Sequence, residues 1–239
     1  MCDFSEKICL VIPCYNEAKR LDFEKYRSVK SNCYFLFVND GSTDNTLEIL
    51  KNNLSKNMFL LDLDKNRGKA EAVRRGFLYT KALPIFDELE WVGFMDADLA
   101  TPLRELNNFV SYSKFYDEKI DSVWGSRVRK LGSKIERTAV RHYLGRIYAT
   151  AVHIVLGVKS YDSQCGAKLF RKESIDEFFS EPFVSKWSFD VEILLRMKDL
   201  KIIECPVHEW KDVPGGSLKI PSVALRTLYD IIKLRLKYF

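Results

Sequence analysis

Short apolar runs alternate with polar, turn-prone clusters along the first half of the chain. Residues 8–12 (ending at Pro13), 34–38, 58–63, 91–95 and 121–124 are each too short for a helix, and they predict five strands. Between them the apolar spacing lengthens to that of a helix. Leu47, Ile49 and Leu50 follow Thr43 and Asp44, either of which can cap a helix start. Ala72, Val73, Gly76, Phe77 and Leu83 form a second stripe that Pro84 stops. A third helix is expected after Pro102. The second half is less regular. Residues 137–156 predict a helix with a broad apolar face, and a polar loop from Asp162 enters a strand near Phe170. Residues 185–192 start another helix that buries Ile193, Leu194 and Met197. Residues 202–207 read as an edge strand, because Pro206 lacks a ladder donor. The turn Pro214-Gly215-Gly216-Ser217 precedes a last helix over 222–239. Strands alternating with helices imply a mostly parallel sheet flanked by helices, an α/β fold in one domain. Residues 1–220 are taken as its body and 221–239 as an amphipathic C-terminal helix suited to a membrane surface.

Ligands of such sheets bind beyond the carboxyl ends of the strands. The unusual residues gather at those ends: Tyr15 to Glu17, Asp40, the Asn66-Arg67-Gly68-Lys69 turn, Asp96 and Asp98, and Arg127. Asp96-Ala97-Asp98 closes the most apolar strand. Two carboxylates in that position repel each other unless a cation shares them, and hard ions such as Mg²⁺ or Mn²⁺ prefer oxygen ligands. The chain holds an internal control in Asp62-Leu63-Asp64, which follows a less apolar run. No G-x-G-x-x-G follows the first strand and no Walker P-loop occurs. His142, His153 and His208 lack metal-ligand spacing and read as structural.

Composition narrows the partners. The chain has 239 residues, 46% hydrophobic and 30% charged, which is ordinary for a folded domain and argues against disorder. Its net charge of +5 is concentrated between Arg127 and Arg146 and in the last helix, which suits a phosphate-bearing ligand or an anionic membrane surface. No recognition-helix, zinc-finger or RNA-binding pattern points to nucleic acid. Six cysteines stand singly, several inside apolar runs, as in a reducing compartment. The first residues lack the features of a signal peptide, and no apolar stretch reaches the ~20 residues of a membrane span. These features predict a cytoplasmic protein, soluble or peripheral at a membrane. Nothing in the sequence fixes an oligomeric state.

IPCYNEAKRL, FVNDGSTDNT, NRGKAEAVRRGF, FMDADLATP, GSR, DSQCGAKLF and WSFDVEIL, in that order, resemble the inverting family 2 glycosyltransferases with the GT-A fold. DSQCGAKLF and WSFDVE are most similar to the dolichyl-phosphate β-glucosyltransferases and other polyprenyl-phosphate glycosyltransferases. Ala100 stands where related mannosyltransferases carry Gln, as in the glucosyl branch. The resemblance implies a nucleotide-sugar donor, with UDP-glucose expected first. It places Pro13, Tyr15, Glu17, Asp40 and Ala97 around base, ribose and sugar, with Lys69 near the diphosphate. Asp98 would hold Mg²⁺ or Mn²⁺ directly and Asp96 would assist through ribose or water. Asp162 and Asp190 are the expected base or orienting carboxylates, and Gln164 and Lys168 helpers in holding phosphate or metal. Arg127, Arg137, Arg141 and Gln164 are expected to grip the phosphate of a polyprenyl-phosphate acceptor, with Arg137 and Arg141 four residues apart on one helical face. The alternatives are transfer to a soluble or polymeric saccharide hydroxyl in cell-surface glycan synthesis, and a nucleotide-sugar-binding subunit without turnover.

Overall fold

The computed structural model of the chain describes residues 2–196, 200–213 and 220–239. The N-terminal part alternates strand and helix: β1 (Cys2–Cys14), α1 (Phe23–Arg27), β2 (Val29–Asp40), α2 (Thr46–Asn53), β3 (Met58–Leu63), α3 (Lys69–Thr80), β4 (Trp91–Met95), α4 (Glu105–Ser113) and β5 (Ser122–Ser126). Then follow β6 (Lys134–Glu136), α5 (Ala139–Leu156), β7 (Ala167–Arg171), α6 (Ile175–Phe179), α7 (Phe189–Arg196), β8 (Ile202–Pro206), β9 (Glu209–Lys211) and α8 (Ile220–Tyr238). Seven strands form one sheet in the order β3-β2-β1-β4-β7-β5-β8, and β6 pairs with β9 in a small second sheet.

Strand β1 is central, and from Ile8 to Ile12 it is buried on both faces, which is why that stretch is a continuous apolar run rather than an alternating one. Leu10 and Ile12 join Phe35, Phe37 and Trp91 under α1 and α4, while Cys9 and Val11 join Leu36, Val38 and Phe94 under α3. Gly76 lets α3 approach closely, since a β-carbon there would lie 2.3 Å from Val11 Cγ1. Pro13 does not end the strand as expected. It stays in register with Val38 of β2, and the β1–β4 pairing has already stopped at Val11–Phe94 on the other side.

One strand departs from parallel order. β7 runs antiparallel to both β4 and β5, between which it is inserted, while β1–β4, β5 and β8 share one direction. The reversal puts the entry of β7 at the same sheet edge as the carboxyl ends of β4 and β5. Met95 pairs with Ala167, so Gly166 lies opposite Asp96 and its carbonyl accepts from the Asp96 N–H at 3.1 Å. β8 is an edge strand, as Pro206 implied.

Helix α5 starts at Ala139, not at Arg137. Thr138 caps it, its hydroxyl accepting from the Arg141 N–H at 3.3 Å, so Arg137 and Arg141 do not share a helical face. The expected helix start at 185 is a capped turn, with the Ser188 N–H on Ser185 Oγ at 2.6 Å, and α7 begins only at Phe189. Met197, the turn at 214–217, and the Leu225 and Arg226 side chains lie outside the described residues. No helix among the described residues is long and apolar enough to cross a membrane.

Candidate active site

The first two strand ends are tied together by short polar side chains. Asn16 takes a left-handed conformation (φ 55°), and its Oδ1 accepts from the Thr43 N–H at 2.8 Å. Gly41 has φ 60° and sits against the backbone of Lys65, where a β-carbon would come within 2.3 Å. Buried Asp40 then accepts from the N–H groups of Arg67 and Gly68, both at 2.8 Å. Burial pushes its carboxyl up, and those two N–H groups oppose the rise. Asp40 therefore braces the turn that launches α3 and delivers Lys69.

Lys69 crosses to β4, its Nζ 2.5 Å from Asp96 Oδ1. Desolvation pulls its ammonium down, but Asp96, Asp190 and Asp98 outweigh that and its pKa rises. Asp98 Oδ1 accepts from the Ala100 N–H at 3.1 Å, and Leu99 between them takes φ 49°. Burial and the neighbouring Asp96 push the Asp98 carboxyl up. Its other oxygen stands 4.0 Å from Arg20, a residue the sequence reading passed over. Arg20 also holds Glu17, donating from Nε at 2.7 Å, so a cation links the first strand end to the aspartate pair. Its three-residue spacing from Glu17 was the signal available. Pro13 and Ala97 lie at the same edge, with Tyr15 44% exposed.

The control pair behaves differently. Asp62 accepts from Asn39 at 2.7 Å and Asp64 is held by Arg67 at 2.9 Å, beside the edge strand β3. Asp96 and Asp98 fit a hard divalent ion better: they are two crowded carboxylates, one of them raised by the other. Mg²⁺ is usually held by one or two carboxylates together with substrate phosphates, not by an all-protein cage. The described residues contain no cluster of three or more ligating side chains, so substrate oxygens would have to complete the coordination of an ion here.

Arg127 and Asp162 do not face a ligand separately. Arg127 Nε and Nη2 contact the two Asp162 oxygens at 2.6 and 2.7 Å, and the Arg127 N–H adds a third bond at 3.0 Å. Burial works against both charges, but each holds the other ionised: Arg127 is raised and Asp162 lowered. Asp162 is thus committed to the arginine. Arg141 is likewise paired, with Asp212 at 2.5 and 2.6 Å. Arg137 is different. Its guanidinium packs on Gly145 and has no ion pair or side-chain hydrogen bond among the described residues. Burial and the nearby Arg127 and Arg141 push its pKa down. A small pocket is lined by Arg127, Arg137, His142, Arg146, Tyr161 and Asp162.

Gln164 stands apart from that pocket, its Nε2 3.4 Å from both Asp190 Oδ2 and Tyr148 Oη. Lys168 is wholly buried on β7, with Nζ 2.6 Å from Asp190 Oδ1 and 2.5 Å from the Cys165 carbonyl, over the rings of Trp124 and Phe94. It cannot hold phosphate or metal, and it anchors Asp190 from beneath. Burial raises the Asp190 carboxyl against the pull of Lys168 and Lys69.

The mostly parallel sheet, interrupted by the one antiparallel strand β7, thus gathers paired carboxylates and cations at its carboxyl edge. The sequence profile described as Glycosyl transferase family 2 matches residues 9–179, and the chain belongs to that family. It is 34% identical to a dolichyl-phosphate beta-glucosyltransferase of Trichomonas vaginalis over 95% of this chain and 72% of that one. It is 30% identical to the dolichyl-phosphate beta-glucosyltransferase of Saccharomyces cerevisiae, over 97% and 75%. Among solved structures, glucosyl-3-phosphoglycerate synthase from Mycobacterium tuberculosis with Mn²⁺, uridine diphosphate and phosphoglyceric acid matches with a TM-score of 0.64 at 16% identity, over 97% of this chain and 79% of that one. The fold is GT-A.

Proposed function

We propose that the chain moves glucose from UDP-glucose to a polyprenyl phosphate such as dolichyl phosphate, with inversion at the anomeric carbon. The observation that carries the acceptor is Arg137, whose guanidinium has no ion pair or side-chain hydrogen bond among the described residues and which lines a pocket with Arg127, Arg146 and His142. The names of the relatives support the same acceptor and sugar. Neighbours solved with UDP and Mn²⁺ or Mg²⁺ support the donor and the ion.

On this reading Pro13, Tyr15, Glu17 and Ala97 line the nucleotide, and Asp40 acts indirectly by fixing the Arg67–Gly68 turn. Lys69 draws the diphosphate toward the sheet edge. Asp98 and Asp96 would hold Mg²⁺ or Mn²⁺, which neutralises charge gathering on the leaving diphosphate. Arg137, with Arg146 beside it, holds the acceptor phosphate for attack from the face opposite the diphosphate. A phosphate monoester has its second pKa near ~6 and arrives already largely dianionic, so it needs positioning and not a base. That fits a site in which Asp162 is locked to Arg127 and Asp190 to Lys168. A saccharide hydroxyl would require a free carboxylate within reach.

Arg137→Ala provides the test. It should raise the KM for polyprenyl phosphate by about tenfold or more, on the scale of one charge-assisted pair, while UDP binding stays unchanged. An unaltered acceptor KM would remove Arg137 from the reading.

A further inference from the structure

Helix α5 contains one glycine, Gly145, well inside its 18 residues. After proline, glycine is the least favourable residue in a helix interior, because its backbone has the most freedom to lose. The two usual reasons for tolerating one are missing here. Gly145 is not in the left-handed conformation, unlike Gly157 at the helix end with its φ of 69°. Nor does it admit a neighbouring element, as Gly76 of α3 does where a β-carbon would strike Val11 and Val38. A β-carbon on Gly145 would instead meet the guanidinium of Arg137, with Nη2 at 2.7 Å, Nη1 at 3.3 Å and Cζ at 3.4 Å as its three nearest atoms.

The place of Gly145 on the helix explains the meeting. Ala149, Val152 and Leu156 form the buried inner row of α5, while Tyr143, Ile147 and Ile154 stand in solvent on the outer side. Gly145 continues the inner row by one turn toward the helix start. There the core gives way to the pocket lined by Arg127, Arg137, His142, Arg146, Tyr161 and Asp162, and Gly145 is part of that lining. Arg137 precedes the Thr138 cap, so its side chain runs along the first turns of α5 to reach Gly145.

Shape, not charge, holds the guanidinium there. Asp162 and Asp212 attract it, but each is already paired, with Arg127 and with Arg141. Those two arginines repel it. A methyl group on Gly145 would push Nη2 away by about 0.7 Å, the difference between 3.4 Å for ordinary contact and 2.7 Å.

We propose that Gly145 is a positioning residue for the acceptor phosphate: its missing side chain is the seat that keeps the Arg137 guanidinium inside the pocket. The purpose of the seat rests on the lipid-phosphate reading above, but the seat itself does not. A side chain at this position moves the cation without removing its charge, so the helix gains what the pocket loses.

The test is Gly145→Ala in the full chain. Its Tm should rise by about 2–4 °C, because alanine is the better helix former and the displaced group is the end of a flexible side chain. The KM for a water-soluble, short-chain polyprenyl phosphate should rise by about fivefold, less than for Arg137→Ala, with kcat and the Kd for UDP little changed. In an Arg137→Ala background the glycine change should still raise Tm but leave the acceptor KM where it is. A glycine kept for packing behaves in the opposite sense, so a lower Tm would overturn the proposal. An equal rise in KM in both backgrounds would also overturn it, as would an unchanged KM in Gly145→Ala when Arg137→Ala raises it. If Arg137→Ala itself leaves the acceptor KM unchanged, the acceptor reading falls instead, and side-chain NMR decides the seat. The Arg137 Nε–H resonance, assigned by its absence from Arg137→Ala, should shift in Gly145→Ala; an unmoved resonance would overturn the seat as well.

Discussion

Gly166 offers a sharp test of the claim that the sheet edge is built around the Asp96 carboxylate. A β-carbon at Gly166 would lie 2.1 Å from Asp96 Oδ2 and 2.6 Å from its Cγ. Ordinary contact begins at 3.4 Å, so Gly166→Ala must displace that oxygen by about 1.3 Å, the difference between 3.4 and 2.1 Å. The Asp96 side chain is 42% exposed and can swing into the cleft without moving backbone. The stability loss should stay near ~1 kcal/mol, a fall in Tm of about 2–4 °C for a chain of this size. Catalysis should suffer far more. The swing breaks the 2.5 Å contact with Lys69 and moves an oxygen that the proposed function assigns to the ion. A misplacement of about 1 Å costs on the order of 100-fold in rate. Steady-state kinetics with UDP-glucose should therefore show kcat/KM down by about 100-fold, with melting nearly unchanged. In an Asp96→Ala background the same glycine change should add almost nothing, since no carboxylate remains to be displaced. A Gly166→Ala enzyme within about threefold of wild type would refute the reasoning, because the position of this carboxylate would then not limit the reaction.

Two further outcomes follow from the buried charges. Arg127→Met strands Asp162 in the interior and should cost about 3–5 kcal/mol in urea unfolding, with much of it recovered in Arg127→Met/Asp162→Leu; unchanged stability with a raised acceptor KM would instead return Arg127 to the phosphate grip. Glu192 is fully buried, and burial pushes its carboxyl up. The Ser185 N–H and the side chains of Lys237, Arg196 and Tyr238 outweigh that and hold it below its ordinary 4.5. Its stabilisation is therefore complete above that value and drains away as pH falls through the lower folded value. Melting temperature should drop below about pH 4.5, and Glu192→Gln should flatten that part of the curve; parallel curves for the two proteins would contradict the assignment.

The strands were legible because residues 8–12 of β1, 35–38 of β2 and 91–95 of β4 are buried on both faces and their apolar runs stand out from the turns between them, and the partly exposed edge strand β3 is still apolar from Met58 to Leu61. The position of Asp96 and Asp98 at the sheet edge was legible for the same reason, since the apolar run from Trp91 to Met95 ends abruptly at them. What the pattern did not contain was pairing between distant charges. Nothing local in Arg127 or Asp162 says that they meet across 35 positions. Nor does the strand residue Lys168 reveal that its ammonium lies under Asp190. The antiparallel direction of β7 was equally invisible, because nothing within five strand residues, Ala167–Arg171, marks which way the strand runs. The stripe on α5 was seen as apolar, but spacing alone cannot tell a core-facing stripe from one left in solvent.

The identity of the product bears most directly on what this site does. It is measured by incubating the chain with UDP-glucose, Mg²⁺ and dolichyl phosphate, followed by mass spectrometry of the lipid and NMR of the anomeric proton. One hexose added to the lipid phosphate in β linkage, absent with Asp98→Ala, is the predicted result. An α linkage, or hexose found only on a saccharide acceptor offered in the same reaction, would contradict it.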